Sequence, residues 1–166
     1  MLSRLRFDLG WTKHGKVFSS SLYDVGELDE VLRPEDRREL EDSSGLSARE
    51  CLYRFVLMGD PAVTLRTHEG DMIGMLAAVP VSANVASIGM AGSELIAQRA
   101  PSFLRGSREA LRHLHQRYDG LICTADARNS VHLNWLEWLG FTATRRVFGY
   151  GAGGIEGVEF ASIKRS

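Results

Sequence analysis

The sequence predicts a mixed α+β domain, with a central, mostly antiparallel sheet and helices on both of its faces. Segments with apolar residues at helical spacing alternate with segments whose apolar residues alternate or run on continuously, which fits neither a helical bundle nor an all-β sandwich. One pair of extended segments within AVTLRTHEGDMIGMLAAVP is joined by a short turn and reads as a hairpin, so part of the sheet is antiparallel. The 166 residues fit one domain with a sizeable core, and no internal repeat, heptad array or low-complexity run divides them.

Along the chain, residues 1–20 do not declare a structure, although Val17 to Tyr23 fits a first strand. From Asp24 the text DVGELDEVLRPEDRRELEDSSG has leucines and charges at helical spacing, interrupted by Pro34, which suits a first helical turn, and closed by Ser43, Ser44 and Gly45. Ser47 and Glu50 form a capping-box pattern ahead of the stripe Cys51, Leu52, Phe55 and Val56, and Gly59-Asp60-Pro61 stops that helix. In the hairpin, Val63 and Leu65 alternate with Thr64 and Arg66, HEGD turns, and Met72 to Val79 is apolar throughout. A loop from Pro80 to Ala86 leads to ASIGMAGSELIA, a strand rich in small residues. Pro101 to Tyr118 reads as a helix with Leu104, Ser107, Leu111, Leu114 and Tyr118 on one side. DGLICTAD then has the look of a buried strand, RNSVHLNWLEWLGF of a short helix, and VFGYGAGGIEGVEFASIKRS of a glycine-rich turn and a last strand near Val158 to Ile163.

Lysine plus arginine (20) and aspartate plus glutamate (21) nearly cancel, so no overall field favours nucleic acid or an anionic membrane surface. MLSRLRFDLGWTKHGK lacks the apolar centre of a signal peptide, and no stretch is long enough to span a bilayer, which predicts a cytoplasmic protein. Cys51 and Cys123 form no CxxC pair and read as reduced, packed thiols. The histidines have no HExxH or other metal spacing, so no metal site is expected.

The stretch RNSVHLNWLEWLGF, in which Asn129 opens a helix that ends at Gly140-Phe141, follows a buried strand in an order of elements that resembles the GNAT N-acetyltransferase superfamily. The resemblance covers roughly residues 20 to 165. More narrowly, Asn129, His132, Trp135, Leu136, Gly140 and Phe141 match the N-x-x-H-x-x-W-L-x-x-x-G-F ending of acyltransferase-like internal virion proteins of tailed podoviruses. The superfamily implies a GNAT-like mixed sheet, acetyl-coenzyme A as co-substrate and an amine or protein acceptor. The narrower likeness implies a phage source, and a phage or host protein as partner.

The resemblance also directs attention to particular residues. GNAT enzymes cradle the coenzyme A pyrophosphate on a Q/R-x-x-G-x-G/A loop, and the local candidate is Arg105-Gly106-Ser107-Arg108-Glu109-Ala110, with an arginine at the central glycine position. If the helix starts at Pro101 this segment is helical and Gly106 lies inside it; if Ser107 is an N-cap a modified loop survives. Either way Arg105 and Arg108 offer charge to phosphates, or form a solvated basic face. Asn129 is the candidate that bonds both helix start and ligand. Where enzymes of the superfamily place a proton-donating tyrosine, this chain has Leu136, which leaves His132 as the nearby group able to transfer a proton, or as a structural histidine. Glu94, the carboxylate of the small-residue strand, is the candidate general base if that strand buries it. Asp126 either caps the following helix or pairs with Arg128. Two functions follow: acyl transfer from acetyl-coenzyme A to an amine, or a non-catalytic GNAT-fold protein that binds a partner.

Overall fold

A computed structural model describes residues 10–12, 15–98 and 100–166 of the chain. The described elements run β1 (Gly10–Thr12), β2 (Gly15–Ser19), α1 (Leu22–Val31), α2 (Pro34–Ser44), α3 (Ala48–Met58), β3 (Ala62–Arg66), β4 (Met72–Pro80) and β5 (Val85–Gly92). There follow α4 (Leu95–Gln98), α5 (Ala100–Arg117), β6 (Gly120–Asp126), α6 (Ser130–Trp138), β7 (Thr142–Tyr150) and β8 (Ile155–Ile163). The eight described strands form one sheet in the order β1-β2-β3-β4-β5-β6-β8-β7. Its pairings are antiparallel except at β5–β6. The expected α+β class and mostly antiparallel sheet are therefore present.

Most elements form where local chemistry requires them. Ser47 accepts the Glu50 N–H at 3.2 Å and Glu50 returns a bond to the Ser47 N–H at 3.0 Å, which starts α3 as its capping box demands. Pro34 stands at the start of α2, where it lacks only an N–H that no helical bond would use. Gly140, at φ +91°, ends α6, and the Phe141 N–H reaches back to the Leu136 carbonyl at 3.0 Å in a Schellman closure.

Three boundaries differ from expectation. The strand read at Val17 to Tyr23 is β2, Gly15–Ser19, because Ser21 acts as N-cap and Asp24 bonds back to its N–H at 2.9 Å, drawing Leu22 and Tyr23 into α1. Strand β5 stops at Gly92, and Leu95–Gln98 is a helical turn rather than further strand. The C-terminal strands are longer than read, with β7 beginning at Thr142 directly after the Gly140-Phe141 stop.

Each face of the sheet carries its own core. On one side α5 and α6 press Leu114, Tyr118, Trp135, Leu136 and Leu139 onto Ile73, Leu76, Ile88, Met90, Leu121 and Cys123. On the other, α1 to α3 cover Met72, Met75 and Ala91 with Val25, Leu28, Leu40 and Leu52. Burial of this kind supplies most of the driving force for folding. Among the described residues no helix is long and apolar enough to cross a membrane.

Candidate functional site

The parallel junction is where the sheet opens. Its ladder has the pairs Val85↔Gly120, Ala86↔Leu121 and Ser87↔Ile122, and then β5 and β6 part. At the far end of the gap the strands are tied together through α2 instead of to each other. Asp36 accepts the Gly92 N–H at 2.9 Å, and Glu39 accepts the Asp126 N–H at 3.2 Å. These carboxylates lie one helical turn apart, on one side of α2, and so reach both strands. Arg33, just before α2, donates its own N–H to the Gly92 carbonyl at 2.9 Å. Because Gly92 and Asp126 turn their main-chain groups toward α2, strand alternation turns those of Met90 and Thr124 into the gap, beyond the last rung of the ladder.

A buried polar network fills this end of the gap. Asn129, 1% exposed, accepts the His132 N–H on its amide oxygen at 3.4 Å, capping α6, and its amide nitrogen donates to Asp36 at 2.8 Å and Glu39 at 2.7 Å. His132 Nδ1 stands 2.9 Å from Glu39 Oε1. The other ring nitrogen, Nε2, is buried and has no hydrogen-bond partner. Burial opposes charge on this imidazole, but the Glu39 carboxylate and the Cys123 sulfur outweigh it and hold His132 well above its ordinary value. Burial pushes the Asp36 carboxyl up, against the pull of Asn129 and Arg33. Asp126 also resists burial, yet the Arg128 side chain, bonded to both its oxygens, holds it below the usual carboxylate range.

The turn joining β7 to β8 completes the frame. Its Gly153 N–H caps the Asp42 carbonyl near the end of α2 at 2.7 Å, and Gly151 passes so close to Ser43 that an added Cβ would lie 2.5 Å from the Ser43 carbonyl oxygen. Arg128 bridges Asp126 and Asp42, joining α2 to the end of β6.

Of the residues expected from sequence, Asn129 and His132 meet in this network, and Glu94 and the arginine segment lie outside it. Glu94 stands beyond the end of β5 with its side chain exposed, not in a buried strand position. Arg105 to Ala110 is not a loop: α5 is helical from Ala100, which keeps the Leu104–Ser107–Leu111–Leu114 side intact. Within it Arg105 is exposed and Gly106 lies inside the helix. Ser107 is buried and accepts the Trp135 indole N–H at 3.2 Å, while Arg108 stacks 3.5 Å from the Trp138 ring centroid. The tryptophans thus fasten α6 to α5 as well as to the sheet. Asp126 does not cap α6; it accepts the Arg128 N–H at 2.9 Å and pairs with that side chain. Leu136, in place of the tyrosine, is fully buried.

Arg33, Asp36 and Glu39 were not singled out by sequence reasoning, and Cys123 was read as a packed thiol. One signal was available: PEDRRELEDSS has a single leucine, so a helix made of it has no apolar stripe to bury and must meet the sheet with polar groups.

The fold recurs in solved acetyltransferases. An acetyltransferase of the GNAT family from Bacillus anthracis superposes with a TM-score of 0.71 at 12% identity, covering 91% of this chain and 95% of that one. The chain has the GNAT fold. A ribosomal-protein-S5-alanine acetyltransferase from Vibrio fischeri gives a TM-score of 0.69 at 13% identity over 94% of this chain and 96% of its own. A spermidine N-acetyltransferase from Vibrio cholerae, solved with CoA and spermine, gives 0.69 at 8% identity over 92% and 97%. No protein-family model matches the sequence, and no curated protein does. At these identities the GNAT likeness is one of fold, and these three structures lend no support to the virion-protein resemblance.

Proposed function

We propose that this chain is an acyl-coenzyme A dependent N-acyltransferase whose reaction centre is the gap between β5 and β6. The observation that carries the reading is the buried Glu39–His132 pair with its unused Nε2. Apolar residues of similar volume would fill such a space at no desolvation cost, and buried charge with an unsatisfied polar atom gathers where chemistry uses it.

In the proposed reaction an amine attacks the thioester carbonyl, the C–N bond forms and the C–S bond breaks. His132 is the proton donor to the departing sulfur, from Nε2, in the role that Leu136 cannot fill. Glu94, just past β5, receives the amine's proton through water. Main-chain groups of Met90 and Thr124 suit the amides of an extended pantetheine arm, and the exposed Arg105 supplies charge for phosphates.

A second reading, a non-catalytic GNAT-fold protein that binds a phage or host partner, is favoured by Asn129. Its amide protons and oxygen are all engaged inside the protein, leaving little for a ligand. Thermal unfolding with and without acetyl-coenzyme A separates the two. At a hundredfold excess over its dissociation constant, a specific ligand adds about 2.7 kcal/mol of apparent stability. The acyltransferase reading expects that shift, together with release of free coenzyme A thiol when amines are supplied. Absence of any shift refutes it in favour of the second.

A further inference from the structure

We infer that the acceptor is an amine carried on an apolar body, an arylalkylamine rather than a polyamine, and that Phe55 and Tyr150 select it on the α1–α3 face of the gap; the inference rests on the acyltransferase reading above. Strand alternation divides β6 between the two faces of the sheet. Leu121, Cys123 and Ala125 belong to the core beneath α5 and α6, so Ile122 and Thr124 point to the other side. Strand β5 divides in the same way, with Ile88 and Met90 in that core and Ser87 and Gly89 opposite. The core under α1 to α3 takes in Met72, Met75 and Ala91 but stops short of β6. Ile122 shows what is left open: it lies on an inner strand, between β5 and β8, and is nevertheless 43% exposed. Among the described residues the sheet thus has a trough on this face, with an apolar floor that runs into the gap.

Two aromatic rings flank the trough, and each rests on a glycine. On the β5 side a Cβ added to Gly89 would lie 2.6 Å from Phe55 Cζ, so the ring of this α3 residue lies against the strand. On the β6 side a Cβ added to Gly157 of β8 would lie 3.1 Å from Tyr150 Cδ1 and 3.0 Å from the Thr124 methyl, which puts the phenol ring beside Thr124. The parallel register, whose last rung is Ser87↔Ile122, brings Gly89 opposite Thr124 just beyond that rung. Phe55 and Tyr150 therefore stand on either side of the gap where it opens, with Ile122 as the floor behind them.

The charges around the trough decide between amines. A polyamine brings further ammonium groups beside the one that reacts, and each must find an uncommitted carboxylate if it is to leave water. The carboxylates that border the trough are already engaged. Asp36 and Glu39 hold the Asn129 amide protons, Asp126 holds Arg128, and Glu159, paired across from Thr124, holds Arg145. The rim is balanced in charge, with no surplus of negative charge to draw a polycation. What the trough offers is apolar and aromatic surface, which suits a flat body on a short tether to a single amine. The body lies on Ile122 between the rings, and the amine reaches past Thr124 into the gap.

Release of coenzyme A thiol by the full chain, with acetyl-coenzyme A and either 2-phenylethylamine or spermidine, tests this. The wild type should use 2-phenylethylamine with a kcat/KM about tenfold or more above that for spermidine. Tyr150→Ala should raise the KM for 2-phenylethylamine about tenfold with little change in kcat, because it removes a wall and not the chemistry. Tyr150→Phe keeps the ring and should keep the KM. Ile122→Glu, at an exposed position, sets an uncommitted carboxylate in the floor and should reverse the preference toward spermidine. The thermal shift given by acetyl-coenzyme A should be the same in all three variants, which separates lost acceptor binding from a lost fold. A wild type that prefers spermidine, or a Tyr150→Ala variant with an unchanged KM, overturns the inference and leaves the acyltransferase reading in place. A thermal shift without turnover of either amine overturns the acceptor class alone. If there is neither shift nor turnover, the acyltransferase reading fails and the inference falls with it.

Discussion

At the start of α3 the Ser47 hydroxyl accepts the Glu50 N–H at 3.2 Å; at the start of α6 the Asn129 amide oxygen accepts the His132 N–H at 3.4 Å. Each is an N-cap serving the third residue of its helix. Ser47 is exposed, and Glu50 answers it from the next turn, so the device closes on itself. Asn129 is buried, and an asparagine has amide protons left over once it has capped. Those protons cannot reach water, so they must find distant acceptors, and they find Asp36 and Glu39, some 90 residues earlier. A cap with spare capacity in a dry place becomes the organiser of a tertiary site.

The sharpest way to break this comparison is Asn129→Ala. It removes the cap and also the donors that face two buried carboxylates, and stranding buried charge costs about 3–5 kcal/mol. Urea unfolding at neutral pH should show a loss of that order, with an unchanged m-value. A loss no larger than an ordinary cap deletion would mean that water replaces the amide and that the network is not sealed.

Next in size is the effect of pH. The folded-state pKa of His132 lies well above its ordinary value, against burial and through Glu39 and Cys123. Its contribution to stability is therefore complete below the unfolded value near 6.5 and is lost as the pH rises through the raised folded value. The groups that act on this ring are Glu39, Cys123 and, more remotely, Asp36. Melting temperatures from neutral to alkaline pH should fall more steeply for the wild type than for His132→Gln. Parallel curves would show that the imidazole is not charged in the folded protein.

The comparison also explains what the sequence made legible. The α3 capping box, the β3–β4 hairpin and the Gly140-Phe141 stop depend on neighbours within a few residues, and each was readable. Asn129 and His132 were readable as a motif, but their partners were not. Asp36 and Glu39 sit in a stretch so uniformly charged that nothing local separates the buried carboxylates from exposed ones such as Glu35 and Glu41. The arginine segment was ambiguous because Gly106 suits a phosphate loop, while the apolar ladder around it suits a helix; packing against α6 through Ser107 and Trp135 goes with the helix. Glu94 was read as a residue of the strand, a general base if buried there, because small residues continue through Ser93, but β5 ends at Gly92, where α2 takes over its hydrogen bonds.

The smallest effect belongs to Ser47→Ala. Here the lost bond is a neutral hydroxyl to an exposed helix start, and water can replace it, so the cost is about 1 kcal/mol. The loss should be recovered in Ser47→Asp, whose carboxylate both accepts the Glu50 N–H and favours the positive end of the helix dipole. The analogous exchange at the other helix, Asn129→Asp, should do the reverse. It would cap α6 equally well but set a third carboxylate against Asp36 and Glu39, with no protons to offer them. Both aspartates are sound N-caps by local rules, so opposite signs in one urea-unfolding series would assign the difference between the helices to what lies behind the cap. Equal signs would mean that both caps are local after all.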